Sequence, residues 1–65
     1  MTFSQQIVYD SIIKYFNKYN KSPSIIIICR ISGYSSPATV HKHLHELEKL
    51  GYIELTGRSR GIILK

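Results

Sequence analysis

Three shortages narrow what this chain of 65 residues can be: cysteine, acidic side chains and long apolar runs. Its lone cysteine, Cys29, cannot form an internal disulfide and has no second thiol for a zinc site, so we expect it to be a small buried residue. The apolar residues recur in short groups, whereas a membrane helix needs about 20 in succession. The opening residues MTFSQQ lack the basic and apolar regions of a signal peptide. These absences predict a cytosolic protein with no membrane segment.

The shortage of acidic residues leaves the chain strongly basic. Four Asp and Glu stand against nine Lys and Arg, which gives a formal net charge of +5 and a pI near 9.6. Such a charge favours a polyanionic partner, and nucleic acid binds basic proteins with release of its condensed counterions. There is no glycine-flanked serine elbow, no carboxylate pair in an apolar setting and no phosphate-binding loop. We predict a single domain over residues 1–65 that is not an enzyme and needs no cofactor.

A first helix is predicted at the start of the chain. Thr2 and Gln5 fit a capping box, in which each side chain bonds the backbone N–H of the other residue. Apolar residues then recur at three- and four-residue steps as far as Tyr19. Pro23 restricts the residue before it to extended conformations, so a turn separates this helix from the next element.

The second element, IIIICRIS, gives conflicting signals. Four consecutive β-branched isoleucines favour a strand. Ser24 before it can cap a helix, however, and Gly33 after it fits a helix C-cap. A helix also places Ile25, Ile28 and Cys29 on one face and leaves further isoleucines elsewhere. We therefore predict a short helix, with three isoleucines as a possible protein interface: Ile25, Ile27 and Ile31.

Ser36 and Pro37 are predicted to begin a third helix. The serine stands at the N-cap, where its side chain can accept a bond from an unpaired N–H, and the proline stands at the first helical position. The helix is expected over residues 36–50 and to end at Gly51. Its core-facing stripe consists of Val40, Leu44 and Leu47.

The last part of the chain predicts a β-hairpin. Residues 52–55 and 62–64 are short apolar segments, and the six residues TGRSRG between them contain glycines that permit a tight reversal. The predicted fold class is therefore α+β, mostly α: a three-helix winged helix-turn-helix with a C-terminal two-stranded hairpin as its wing.

The outer face of the third helix carries donors and cations, the groups that contact phosphates and base edges. Only the N-terminal part of such a helix reaches the floor of the major groove, and the helix N-terminus favours a phosphate. Loop arginines can lie along the DNA backbone or in the minor groove. The alternative is a merely solvated face, which is the usual role of a polar stripe. The candidate DNA-binding residues are Ser36, Ala38, Thr39, His41, Lys42, His45, Lys49, Arg58 and Arg60.

Histidines on this helix raise the question of a metal site. His41 and His45 are four residues apart, as two ligands on one helix face would be. No third ligand is evident near them, and His43 turns toward the edge of the core, so we predict no metal. The acidic residues of this region are expected to be exposed charges: Glu46, Glu48 and Glu54.

Six short motifs occur in order along nearly the whole chain. They are QQ-x-V-[FY]-D, SP-S, G-[FY]-x-SP, H-L-x-x-L, G-x-I-E and S-R-G-I-x-L, and together they resemble the N-terminal DNA-binding domain of the LexA repressor family. The resemblance implies a winged helix-turn-helix that binds operator DNA through its third helix. The residues that match are Gln5, Gln6, Val8, Tyr9, Asp10, Ser22, Pro23, Ser24, Gly33, Tyr34, Ser36, Pro37, His43, Leu44, Leu47, Gly51, Ile53, Glu54, Ser59, Arg60, Gly61, Ile62 and Leu64.

Departures from the family pattern limit what the resemblance implies. After the SP of the third helix the family typically has Asn-Ala-Ala-Glu-Glu, whereas here Ala38 replaces an amide and His41 and Lys42 replace acids. The docking mode therefore carries over and the recognised sequence does not. LexA-like repressors also have a C-terminal self-cleaving serine–lysine domain that dimerises them, and these 65 residues hold no counterpart to it. The chain is then either a stand-alone regulator or a fragment.

These observations predict a sequence-specific regulator, a repressor, that binds double-stranded DNA in the cytoplasm, associated with the nucleoid of a prokaryotic or phage-infected cell. One such module binds DNA weakly by itself, so we expect a homodimer. Two alternatives stay open. One is a winged-helix module that binds another regulatory protein through its isoleucines. The other is a nucleic-acid binder indifferent to sequence, for which the net charge would suffice.

Overall fold

Three helices precede a two-stranded antiparallel hairpin in the computed structural model, which describes residues 1–58 and 61–65. Ser59 and Arg60, and with them the expected DNA contact of Arg60, lie outside the described residues. The predicted fold class, an α+β winged helix-turn-helix, is confirmed. The elements are α1 (Phe3–Tyr19), α2 (Ile25–Ser32), α3 (Pro37–Lys49), β1 (Ile53–Leu55) and β2 (Ile62–Leu64).

The capping box predicted at the start of α1 is present. Gln5 N donates to Thr2 Oγ1 at 3.1 Å, and Thr2 N donates to Gln5 Oε1 at 2.9 Å. Two N–H groups that the helix leaves without internal partners are thereby satisfied. The helix ends at Asn20, whose backbone is left-handed with φ of 56°, a conformation that asparagine tolerates better than most residues.

The prediction of a helix for the isoleucine-rich segment is also confirmed. Ser24 Oγ accepts from Ile27 N at 3.3 Å, and Gly33 closes the helix with φ of 85°. Ile28 is fully buried against the other helices, and Ile25 and Cys29 pack beside it. The caps and this one-sided burial outweigh the β-propensity of the isoleucines, because β-propensity reflects packing context more than backbone preference. Cys29 is half-buried rather than fully enclosed.

The two ends of α3 differ from each other in how they are capped. Ser36 occupies the N-cap and Pro37 the first turn, but the serine side chain makes no capping bond, so that part of the prediction is wrong. The backbone closes the first turn instead, through Val40 N and Ser36 O at 3.3 Å. At the other end Gly51 has φ of 89°, and the bonds Tyr52 N to Leu47 O and Gly51 N to Glu48 O form a Schellman motif.

A single core joins all five elements. The helix α3 packs on α1, α2 and β1, and α1 and α2 pack on each other. Burial of large aliphatic side chains supplies most of the stability of so small a domain, and truncation of one of them to alanine costs about 2–5 kcal/mol. The buried cluster is Val8, Ile12, Ile28, Val40, Leu44, Leu47, Ile53 and Ile62.

A side-chain hydrogen bond connects the hairpin to the first half of the chain. Its strands pair with Leu55 opposite Ile62 and Ile53 opposite Leu64. Ile62 N donates to Ser22 Oγ at 3.2 Å, which joins the base of the hairpin loop to the turn between α1 and α2. Over residues 1–58 and 61–65, no helix combines the length and the apolar character that a membrane span requires.

Two of the three N-cap residues, Thr2 and Ser36, allow a matched test of capping. We expect Thr2→Ala to lower the free energy of unfolding by about 1 kcal/mol, since it removes a bonded cap. Ser36→Ala should change it by less than about 0.5 kcal/mol, because that side chain caps nothing. Urea denaturation followed by circular dichroism measures both. Equal losses in the two variants would contradict the difference in geometry.

Candidate nucleic-acid interface

The outer face of α3 carries two lysines and two histidines that are exposed to solvent. The predicted apolar stripe of Val40, Leu44 and Leu47 is confirmed as buried, which turns the opposite side of the helix toward solvent. Ser36 is exposed at the N-terminal end of the helix and Thr39 is half-buried on its flank. The remaining residues predicted on this face are exposed: Ala38, His41, Lys42, His45 and Lys49.

A cleft of about 250 Å³ separates α3 from the hairpin loop. His41 and His45 stand on its helical side, with their rings stacked at 5.5 Å between centroids and 22° between planes. Arg58 lies on the opposite, loop side. The structure thus brings three of the predicted DNA-binding residues around one opening. The cleft is lined by Ile25, His41, Leu44, His45, Leu55, Gly57, Arg58, Gly61 and Ile62.

The start of α2 and the turn before it lie on the same side of the domain as the cleft. Ile25 borders the cleft beside the two histidines, and Ser22 is bonded to the hairpin. Lys21, next to Ser22, is exposed. Lys21 is not among the residues predicted to bind DNA. A cation just before α2 was the available signal, since α2 is the first helix of the helix-turn-helix and that helix crosses the DNA backbone.

Glu46, Glu48 and Glu54 were expected to be exposed charges. This expectation is wrong for the two glutamates of α3, Glu46 and Glu48. Glu46 Oε1 accepts from Gln5 Nε2 at 3.1 Å and lies 2.9 Å from His43 Nδ1. Glu48 Oε2 accepts from Leu55 N at 2.8 Å. Both carboxylates therefore face the domain, one toward α1 and one toward β1. Glu54 is exposed as expected, 3.3 Å from Lys65 Nζ.

Glu46 is held in its charged form by its neighbours. Its hydrogen bond with His43 and then that with Gln5 lower the pKa of this carboxyl below its ordinary value of 4.5, against a smaller opposing effect of burial. The side chain of His43 is itself only 12% exposed, as expected for a residue at the edge of the core. The ring of Tyr34 lies 5.7 Å from that of His43. This cluster fixes the flank of α3 against α1.

The isoleucines of α2 divide between core and surface differently from the expected interface. Ile25 packs partly on the core, and Ile27 is half-buried. Ile31 is 41% exposed, while Ile26, which was not among the predicted interface residues, is 62% exposed. Projection of the second helix at 100° per residue places Ile26 opposite Ile28, so the signal was present in the sequence.

Metal-ligating groups are sparse in the part of the chain that the structure describes. No three side chains of His, Cys, Asp or Glu come together there in an arrangement that could hold an ion. The stacked pair His41 and His45 is accompanied in its cleft by Arg58, a cation, and not by a further ligand.

Two helices joined by a short turn, a third helix with a cationic outer face and a hairpin beside it define a winged helix-turn-helix domain. The family model described as the LexA DNA binding domain matches residues 1–61. The chain belongs to this family of DNA-binding domains.

Two LexA repressors show the extent of the similarity. That of Petrotoga mobilis is 45% identical over 62 residues, which are 95% of this chain and 30% of the relative. That of Desulfatibacillum aliphaticivorans is 35% identical over 63 residues, which are 95% of this chain and 31% of the relative. The chain therefore spans about a third of the length of the curated relatives that it matches.

The lowered pKa of Glu46 predicts a pH dependence of stability. Because the folded-state pKa lies below the ordinary value, the carboxylate stabilises the fold at pH above 4.5, and this contribution is lost as pH falls through the folded-state pKa. We expect Glu46→Gln to be less stable than the parent at neutral pH and the difference in unfolding free energy to shrink as pH falls through the folded-state pKa of Glu46.

Urea unfolding at a series of pH values measures this, with Glu54→Gln on the exposed strand as the matched control. A Glu46→Gln curve that stays parallel to that of the parent over the whole range would exclude the role assigned to the Gln5–Glu46–His43 cluster.

Proposed function

We propose that the chain is the DNA-binding part of a transcriptional repressor, which binds double-stranded DNA sequence-specifically. The observation that carries the proposal is the outer face of α3, where five residues predicted from sequence are exposed and both glutamates of the helix are turned away. The relatives that bear the name LexA repressor support repression as the outcome. A protein bound over a promoter blocks access of polymerase to the same DNA.

In the proposed complex α3 lies in the major groove with its N-terminal half against the base edges. Ala38, Thr39, His41 and Lys42 contact bases, whereas His45 and Lys49, farther along the helix, lie nearer the backbone. Ser36 and the open N-terminus of α3 face a phosphate, because the helix dipole and the uncapped N–H groups both favour an anion there.

The hairpin and the turn before α2 extend the proposed contact along the backbone. Arg58 lies across the cleft from α3, and Arg60 belongs to the same loop. We assign both to the backbone or the minor groove. Lys21 adds a positive charge beside Ser22, the residue that is bonded to the hairpin. These contacts position the domain on DNA without selecting a sequence.

Selection from a random duplex DNA library at near-physiological salt tests the proposal. We expect a recovered motif, arranged as an inverted repeat if two copies bind together. In parallel, Arg58→Ala should weaken binding to all duplexes alike and lower the slope of affinity against salt by about one, while Lys14→Ala on α1 serves as the charge-matched control. Retention of DNA without enrichment would leave only sequence-indifferent binding, and no retention would exclude DNA as the partner.

A second candidate function, contact with protein, is favoured by the exposed isoleucines of α2. Ile26 and Ile31 are 62% and 41% exposed, which is unusual for side chains of this type. We assign this surface to a second copy of the chain, because one module buries only about 600–1,000 Å² on DNA and gains affinity when paired.

Sedimentation at increasing protein concentration, alone and with a duplex that carries two half-sites, tests the pairing. We expect a dimer whose dissociation constant rises at least tenfold in Ile26→Lys, while Ile63→Lys on β2, another exposed isoleucine, leaves it unchanged. Independent, non-cooperative occupation of the two half-sites by monomers would rule out a second copy and redirect the surface to another protein.

A further inference from the structure

The side chains on the outer face of α3 differ in whether they donate or accept hydrogen bonds. Lys42 and Lys49 are exposed and can only donate. His41 and His45 can each donate, and they accept only when neutral. Within Pro37–Lys49, Glu46 and Glu48 are the only side chains that, when charged, accept hydrogen bonds without donating any. Both carboxylates are bonded to other parts of the domain. The two lysines of this face therefore only donate, whereas Thr39 and a neutral histidine can also accept.

The sequestration of the glutamates is built into the fold. Glu46 is occupied by Gln5 of α1 and by His43, at 3.1 and 2.9 Å. Glu48 accepts the N–H of Leu55 at 2.8 Å, a bond that connects α3 to β1. Release of either carboxylate toward DNA would leave a half-buried donor without a partner, which costs free energy. Each carboxylate thus makes a bond to the rest of the domain that turning toward a base would break.

The four bases differ in what they offer to such a face. Guanine presents two acceptors, N7 and O6, on its major-groove edge, while cytosine presents an amino donor that requires an acceptor from the protein. A lysine ammonium pairs well with the two acceptors of guanine and has nothing to offer the cytosine amino group. Adenine and thymine each present a single acceptor, so a donor-only side chain at the centre of the interface favours guanine, the base with two.

Lys42 is the side chain best placed to make this selection. It lies in the N-terminal half of α3, one turn after Ala38, whose small side chain on the same stripe permits close approach of the helix to the bases. Lys49 lies almost two turns farther along, where a helix in the major groove moves away from the bases toward the backbone. The two lysines thus have different roles.

We propose that Lys42 is the specificity-determining residue of the domain and that each operator half-site presents a guanine to it, with N7 and O6 as the acceptors. The proposal rests on the proposed function, because it names the class of DNA that the same face recognises.

The test replaces single guanines of a selected duplex by 7-deazaguanine, which pairs normally but lacks the N7 acceptor. We expect one guanine per half-site at which this replacement weakens binding by about 5- to 150-fold. With Lys42→Ala the same replacement should have no further effect, because the partner of N7 is already gone. Lys14→Ala, which removes an exposed lysine of α1, should retain the full loss of affinity caused by 7-deazaguanine.

A second variant changes the preference instead of removing it. In Lys42→Glu the carboxylate can accept from the cytosine amino group, so a repeated library selection should recover cytosine in place of guanine at that position. Lys42 is exposed, so neither variant disturbs the core, and circular dichroism confirms that each is folded.

The outcomes separate this proposal from the proposed function. A sequence-specific motif with no position sensitive to 7-deazaguanine, or with equal sensitivity in Lys42→Ala, would overturn the role of Lys42 and leave sequence-specific binding intact. Selection without any enrichment would overturn both.

Discussion

Burial of one side of α3 is the contact on which the rest of the structure depends. Val40, Leu44 and Leu47 are almost fully buried, and α3 is the one element that packs directly on α1, α2 and β1. A domain of this size has a folding free energy of only several kcal/mol, comparable to the loss of one or two of these side chains. Because packing fixes the core side of α3, it also fixes the direction of the opposite side. The solvent-facing side chains of α3 are thus positioned by the buried side chains and not by bonds that they make themselves.

Charge is distributed in the domain by hydrogen bonding as well as by composition. A count of residues gives nine basic and four acidic side chains, and it says nothing about which of them face outward. Two of the four acidic side chains are on α3, where Glu46 is bonded to α1 and Glu48 to β1. These hydrogen bonds, and not the list of charges in the helix, thus determine where the negative charges of α3 lie.

The sequence predicted the fold because its local signals agree with one another. The capping box of Thr2, the Gly33 cap and the apolar stripe of α3 all point to the same arrangement, and tertiary packing resolves the one conflict, in the isoleucines of α2. The roles of Gln5, Glu46 and Glu48 were out of reach, because their partners lie on other elements and no periodicity encodes such pairs. The candidate DNA-binding face followed from the buried stripe, whereas the position of Arg58 across a cleft required the structure.

The bond from Ile62 N to Ser22 Oγ has a consequence for the order in which the domain folds. It closes a loop of 40 residues, and the bond between Gln5 and Glu46 closes one of 41. Contacts between residues so far apart form after the local helices, since their loop-closure entropy must be offset by contacts already in place. The helices also precede the hairpin in the chain, so they leave the ribosome first during synthesis. The cleft beside α3 forms only when β2 has left the exit tunnel.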